Sequence, residues 1–211
     1  MSTQAVLRFI DPLDSFKRSG LDIDLYNLFL TTEEEQELFQ AIEENVTWLT
    51  AITKGKRSNQ MYGDPGLIYE LRFGGYGDRP LKITHRKTIP WSEFPLLDKI
   101  KSKVELQIGK KFNFCAIQRY PNGGVGMSRH RDSEMVAGTC IAGLSLHTER
   151  ILTMTPIRSS EDPITLDLLP GSLYVLKPPT NDRWMHAIEK NDSITPRISL
   201  TFRDVPQVNK E

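Results

Sequence analysis

Ile141-Ala-Gly-Leu-Ser-Leu146, Ile151-Leu-Thr-Met-Thr-Pro-Ile157 and Ile164-Thr-Leu-Asp-Leu-Leu169 are three short apolar runs in close succession. Their length and spacing are those of strands in an antiparallel β domain. Pro170-Gly171 then turns the chain into a fourth run, Ser172–Lys177. Upstream, Phe112–Tyr120 is rich in strand formers and ends at the turn Pro121-Asn-Gly-Gly124. Downstream, Arg197-Ile-Ser-Leu-Thr-Phe-Arg203 alternates between polar and apolar residues and reads as the last strand. Everything after Gly109 is therefore expected to form one β sandwich or barrel.

The first half reads differently. Thr32-Glu-Glu-Glu35 fits a capping box, with acids where the helix dipole favours them. Leu38, Phe39 and Ile42 follow on one face and predict a helix over 33–45. A second helix is expected after Pro95, with Leu97, Ile100, Val104 and Ile108 on one stripe and Gly109 as its stop. Residues 1–29 mix turns and short apolar runs. Residues 50–94 interleave Lys54, Lys56, Arg57, Arg79, Lys82, Arg86 and Lys87 with Tyr62, Tyr69, Phe73, Tyr76 and Trp91, a texture of strands and loops.

A chain of 211 residues, 38% hydrophobic and 26% charged, suits one globular domain and excludes disordered, collagenous and coiled-coil classes. No apolar run approaches the ~18 residues of a membrane span, and the first residues lack the build of a secretory signal. Cys115 and Cys140 cannot form a disulfide framework, so buried free thiols in a reducing, intracellular compartment are expected, nuclear or cytoplasmic according to the source. Nothing marks an oligomer, and a monomer is the default. The net charge of zero conceals a pattern. Residues 1–49 hold 3 basic and 10 acidic side chains, residues 50–111 hold 13 and 6, and residues 112–211 hold 11 of each. The basic middle either pairs with the acidic first part in the fold or presents a local positive field to a polyanion.

Of the four histidines, two have informative company. His130-Arg-Asp132 places an imidazole and a carboxylate on one face of an extended segment. His186 follows 54 residues later, beside a turn rich in Pro, Asn and Asp, and a β sandwich can return a chain over such a distance to where it started. Two His and one carboxylate occupy one face of an octahedral iron and leave three positions open. In the last strand, Ile198, Leu200 and Phe202 form a core face, while Arg197, Ser199, Thr201 and Arg203 form the other. That second face is either solvated surface or an anion site, because guanidinium forks match carboxylates.

Taken together, these segments resemble the AlkB family of iron- and 2-oxoglutarate-dependent dioxygenases. The stretches that carry the resemblance are Tyr62-Gly-Asp64, Phe112-Asn-Phe114, Arg119-Tyr120, His130-Arg-Asp132-Ser-Glu134, Pro170-Gly-Ser-Leu173, Pro179-Thr-Asn181, Trp184-Met-His186 and Arg197–Arg203. The likeness is greatest to the branch that repairs alkylated nucleic acid. It implies an α+β, mainly β fold, a double-stranded β-helix (jelly roll), in a single catalytic domain over residues 1–211. Residues 1–49 would give N-terminal helical support, 50–94 a nucleotide-recognition lid and 110–204 the jelly-roll core. His130, Asp132 and His186 would bind Fe(II). Arg197 and Tyr120 would hold the distal carboxylate of 2-oxoglutarate, and Arg203 the carboxylate beside its keto group. Gln118 and Ser199 stand where the family commonly has Asn.

The resemblance further implies oxidative demethylation of 1-methyladenine and 3-methylcytosine in DNA or RNA. O2 and 2-oxoglutarate are consumed, and formaldehyde, succinate and CO2 are released. The target base would be flipped from its stack. Tyr69 would stack on it with His130 opposite, and Glu134 would accept from its exocyclic amine. Leu71 stands where related enzymes have a second aromatic, and Tyr62 is a further candidate for the substrate side. Lys54, Lys56, Arg57 and Arg86 are candidates for phosphate contact, and Leu49 or Ile52 for wedging a duplex. His85 and His147 are expected to be ordinary polar residues. Two other readings stand beside this one: an oxygenase of the same chemistry acting on a modified tRNA base or a protein, and a non-enzymatic β-sandwich binding module.

Overall fold

The computed structural model describes residues 14–49, 57–73, 82–158 and 160–208. In chain order the elements are β1 (Asp14–Arg18), β2 (Leu21–Tyr26), α1 (Thr32–Asn45), β3 (Ser58–Gly63), β4 (Ile68–Phe73), β5 (Lys82–Lys87), β6 (Ile89–Pro90) and α2 (Pro95–Ile108). There follow β7 (Phe114–Tyr120), β8 (Met127–His130), β9 (Ile141–Leu146), β10 (Arg150–Pro156), β11 (Ile164–Leu168), β12 (Leu173–Leu176), α3 (Thr180–Arg183), β13 (Trp184–Ile188) and β14 (Arg197–Arg203). A major sheet has the order β1-β2-β12-β9-β14-β7-β3-β6, and a minor sheet the order β11-β10-β13-β8. The β4–β5 hairpin stands apart as a third, two-stranded sheet. Every pairing is antiparallel except β3 with β6. This is the expected mainly β jelly roll.

The major sheet is covered on both faces. On one side Leu38 and Ile42 of α1 and Leu97, Ile100 and Val104 of α2 pack on Ala142, Leu144, Ile198, Leu200 and Phe202. On the other side Ile23, Ile141, Tyr174 and Leu176 meet Leu152, Met154, Leu166 and Trp184 of the minor-sheet half. The middle strands β9, β12 and β14 are consequently buried at every residue, whereas β11 and β13 keep the alternation of a sheet with one wet face.

Both helices follow from their sequences. α1 has a capping box, one residue earlier than expected. Thr31 Oγ1 accepts from the Glu34 N–H at 3.2 Å, and Glu34 Oε2 accepts from the Thr31 N–H at 3.0 Å. Glu35, the expected partner, is buried and accepts instead from the His147 N–H at 2.7 Å, so its carboxylate cannot turn back to the cap. α2 starts with Pro95 at its first turn and ends at Gly109, whose φ of 68° is the left-handed conformation glycine takes at no steric cost.

The first part of the chain is not helical support throughout. Leu21-Asp-Ile-Asp-Leu-Tyr26 alternates, pairs with β12 and continues the major sheet. β3 likewise joins the major sheet beside β7 and β6 pairs with β3, so of the strands described between residues 57 and 90 only the β4–β5 hairpin stands outside that sheet. Leu49 bridges to Asn59 and packs against the small cluster beneath the hairpin, away from the free position a wedge requires. Lys54, Lys56, Arg79, Tyr76 and Ile52 lie outside the described residues. Cys115 and Cys140 are buried free thiols. No helix among the described residues is long and apolar enough to cross a membrane.

Gly143 lacks the side chain that would collide with the ring of Tyr174 on the paired strand β12. A methyl group there overpacks the space between the sheets. Gly143→Ala is expected to lower stability by about 1–3 kcal/mol, read by urea unfolding, with Tyr174→Phe offering little relief because the clash involves ring carbons.

Candidate active site

The minor sheet brings the two histidines together. His130 ends β8 and His186 sits in β13, and the two are directly opposite in the register. Their rings are 4.3 Å apart. Asp132 follows β8 by two residues, with Oδ1 3.7 Å from His130 Nε2. One ligand atom from each of the three residues falls within 4.8 Å of the others. The separation of 56 residues between the two histidines is thus one cross-strand step in the fold.

The donor set fits a divalent metal on the structure's own terms. His130 Nδ1 lies 2.9 Å from the Ser128 carbonyl, which holds the proton on that nitrogen and leaves Nε2 as the ligand atom facing Asp132. His186 is buried and its Nδ1 has no hydrogen-bond partner among the described residues, an orphan that a bound ion or water would satisfy. Burial pushes the His186 pKa down to about 4, so the imidazole is neutral and free to ligate at ordinary pH. Burial alone would raise Asp132. The Arg203 guanidinium at 3.1 Å and the two imidazoles outweigh it and hold the carboxyl below the usual range.

β14 supplies the anion-binding side from the major sheet. Its alternation is as expected, but the polar face is not solvated: Arg197, Ser199, Thr201 and Arg203 are all buried, facing the space between the sheets. Arg197 and Arg203 project from the same face at opposite ends of a strand about 20 Å long. Arg197 is inaccessible to solvent, and its Nε donates to Ser145 Oγ at 3.0 Å. Its Nη1 and Nη2 have no partner among the described residues. Burial lowers its pKa, with Tyr120 and Tyr174 opposing. A buried guanidinium with both outer nitrogens free is costly unless an anion completes it, and the fork fits one carboxylate.

Tyr120 lies opposite Arg197 on β7, with the Arg197 guanidinium 5.3 Å from its ring centre. Its hydroxyl donates to Gln118 Oε1 at 3.0 Å, and Gln118 in turn faces Ser199. Gln118, Tyr120, Ser199 and Arg203 line one small cavity with all three candidate metal ligands. Arg203 Nη1 also reaches Glu134 Oε1 at 3.5 Å, so this one cation ties Asp132 to Glu134.

The lid residues part company. Tyr62 is buried in the main core with its ring tilted on Phe94, and the structure does not bring it to the cavity. Tyr69 is 2% exposed and its ring packs on Phe114 at 4.9 Å, which closes the face expected to stack on a base. Burial pushes its hydroxyl up to about 12, with Arg86 and Arg203 opposing. Leu71 packs against the same cluster. Arg57 is half-buried, donates to Met127 Sδ and lies over the Tyr120 ring at 5.7 Å, so it is not the surface phosphate contact expected. Arg86 is exposed on β5, as are Lys82 and Lys87. His85 pairs with Glu70 at 3.6 Å and His147 stacks on Phe39 at 4.2 Å, both in ordinary polar roles.

Three further residues escaped the sequence reading. Ser145 is the one polar side chain in Ile141–Leu146, a signal that was legible. Tyr174 lines the cavity from β12, and nothing separates it from a core tyrosine in the sequence. Arg150 is buried and donates to the carbonyls of Val125 and Glu189, fixing the turn that follows β7.

The profile of the 2OG-Fe(II) oxygenase superfamily matches residues 22–203. The chain is 31% identical to the DNA oxidative demethylase ALKBH2 of Bos taurus, over 92% of this chain and 72% of that protein. It is 27% identical to the alpha-ketoglutarate-dependent dioxygenase alkB homolog 3 of Homo sapiens, over 86% of this chain and 65% of that protein. Among solved structures, that of OsALKBH1 superposes with a TM-score of 0.57 at 11% identity, covering 90% of this chain and 98% of that one, a likeness of fold.

Two outcomes are expected. The folded His186 titrates at about 4, against an ordinary value of 6.5, so between these the unfolded chain binds more protons and stability rises with pH. In the metal-free protein its contribution is fully present above about pH 6.5 and falls by roughly 2 kcal/mol on going down to about pH 5. Urea unfolding of wild type and His186→Gln checks this, the variant having the shallower pH slope. Arg197→Met removes a buried, incompletely paired cation and should leave metal-free stability unchanged or raised. It should weaken 2-oxoglutarate binding at least tenfold, the scale of one charge-assisted hydrogen bond, measured by calorimetry. A large loss of stability instead would make Arg197 a structural residue.

Proposed function

Because the chain belongs to the AlkB family of Fe(II)- and 2-oxoglutarate-dependent dioxygenases, we propose that it oxidatively demethylates N-alkylated bases, 1-methyladenine and 3-methylcytosine, in nucleic acid. The observation that carries this reading is Glu134. Its carboxylate stands at the edge of the candidate metal centre, tied through Arg203 to Asp132. A carboxylate there accepts from the exocyclic amine of cytosine or adenine, and it favours the positive charge that these methylated bases carry. An uncharged base gains only the first of these.

His130, Asp132 and His186 would hold the iron, with Arg197 and Arg203 taking the two ends of the dicarboxylate. When bound, Fe(II) and 2-oxoglutarate supply oxygen activation, so that an N-methyl group becomes N-hydroxymethyl and leaves as formaldehyde while 2-oxoglutarate becomes succinate and CO2. The chain's own residues then divide the remaining work. Arg197, Tyr120 and Ser145 fix the distal carboxylate in a site closed to solvent. Arg203 keeps Asp132 ionised and sets the position of Glu134. Ser133 N–H and Oγ both donate to Glu134 Oε2, at 3.0 and 3.2 Å, and hold the carboxylate in one orientation before substrate arrives.

We take the whole chain as one catalytic unit in which the β4–β5 hairpin is the lid. Lys82, Arg86 and Lys87 on β5 are its phosphate contacts, and the acidic first part of the chain engages other cations, as Glu34 does Lys103 and Glu43 does Arg119. The substrate base is flipped against His130. The relatives named DNA oxidative demethylase favour DNA among the possible strands.

The test is a demethylation assay with Fe(II), ascorbate and 2-oxoglutarate on single- and double-stranded DNA and RNA carrying one methylated base, read as mass loss of a methyl group. Methyl loss that requires iron and His130 is expected, and Glu134→Ala should lower kcat/KM for the cationic bases by about 10–100-fold, the scale of a hydrogen bond to a charged group. Turnover of 2-oxoglutarate without methyl loss on any strand would move the substrate to a modified tRNA base or a protein.

A further inference from the structure

We propose that Asn181 is a positioning residue for the metal centre: its side-chain amide fixes the backbone of Asp132 and thereby the spacing between Asp132 and His186. The inference rests on the ligand assignment above and concerns a residue outside it. Asp132 lies beyond the end of β8, in a stretch without strand pairing. Its backbone hydrogen bonds go instead to one side chain. The Asp132 N–H donates to Asn181 Oδ1 at 3.0 Å, and Asn181 Nδ2 donates to the Asp132 carbonyl at 2.7 Å. Bonding both the N–H and the C=O of one residue is what the facing strand does in an antiparallel pair. Here a planar amide, 49 residues away in sequence, supplies that bridge where the sheet has stopped. The same Nδ2 also donates to Met135 Sδ at 3.4 Å, so each of its two hydrogens has an acceptor.

The clamp transmits position because its own base is fixed. The neighbouring Thr180 is fully buried, and its Oγ1 accepts from the Asp22 N–H at 2.8 Å and donates to the Asp22 carbonyl at 3.0 Å. The turn is thus pinned to β2 on one side and to Asp132 on the other. It then runs directly into β13, whose pairing with β10 sets His186 opposite Met154. Asn181 therefore connects the two buried ligands by a short, fully bonded path. The need for it is electrostatic. Arg203 draws the Asp132 carboxylate toward the major sheet at 3.1 Å, and this ion pair by itself does not fix the spacing of the carboxylate from the imidazoles. The clamp fixes it.

Two variants of the same turn separate positioning from simple stability. Asn181→Ala removes the bridge to Asp132, while Thr180→Val removes the bridge to Asp22 and touches no ligand. Oxygen-free Co(II) titration gives the dissociation constant without turnover, thermal unfolding gives the stability of the metal-free protein, and amide exchange reports the Asp132 N–H directly. For Asn181→Ala we expect Co(II) binding weakened about tenfold, the scale for residues that orient a ligand, together with faster exchange at Asp132. For Thr180→Val, which loosens the base but keeps the amide bridge to Asp132, we expect a lower melting temperature and a smaller loss of Co(II) affinity than in Asn181→Ala. Wild-type affinity in folded Asn181→Ala, or equal weakening in both variants, overturns the proposal. Should the alanine variant not fold, Asn181→Ser, too short to bridge both groups, is read in the same way. Asp132→Ala serves as the reference: if it binds Co(II) as wild type does, the ligand assignment fails, and not the clamp.

Discussion

A polar strand face buried between two sheets is the constraint from which the site follows. β14 turns Ile198, Leu200 and Phe202 to the helices, so its other face has nowhere to go but inward. Two arginines, a serine and a threonine are thereby placed in the interior, where each must find a partner or leave a costly vacancy. The partners come from neighbouring elements: the Tyr120 ring on β7 and Ser145 Oγ on β9 for Arg197, and Asp132 and Glu134 from across the roll for Arg203. Only the outer nitrogens of Arg197 and the Nε of Arg203 go without among the described residues of this strand.

The two arginines are treated differently by the fold, and the difference is chemically useful. Arg203 is neutralised in advance by Asp132 and Glu134, which raise its pKa against the effect of burial. It is a fixed strut between Asp132 and Glu134. Arg197 has no carboxylate beside it among the described residues and burial lowers its pKa, so its fork is left with an unmet demand for an anion. Arg150, buried nearby, shows the third solution: its donors are met by backbone carbonyls and it needs no anion at all. Three buried guanidiniums are thus met in three ways: Arg203 by two carboxylates, Arg197 by a hydroxyl on its Nε, and Arg150 by backbone carbonyls.

Particular residues show where the sequence was legible. His130 and Asp132 were marked by their spacing, and Arg197 and Arg203 by the alternation of one strand, because local periodicity survives folding. The cap of α1 was displaced by one residue because Glu35 has a tertiary partner, the His147 N–H, that no local pattern reveals. Tyr62, Tyr69 and Arg57 sat in a segment whose basic, aromatic texture suggested an open lid. In the fold, β3 belongs to the major sheet, and the rings of Tyr62 and Tyr69 are consumed by Phe94 and Phe114. An aromatic in a strand looks the same in sequence whether its face is packed or offered to a base.

By itself the sequence determined the β architecture, the two helices, the two candidate histidines with their carboxylate, and the pair of arginines. Each of these is written in short-range spacing, which backbone periodicity converts directly into a shared face. Only the tertiary structure decided which of those faces is dry, that β8 sets His130 against His186, and that Asn181, Ser145 and Tyr174 stand around the site. Those facts depend on contacts between residues tens of positions apart. Burial then gives each contact its energy, by removing the water that would otherwise satisfy the same groups.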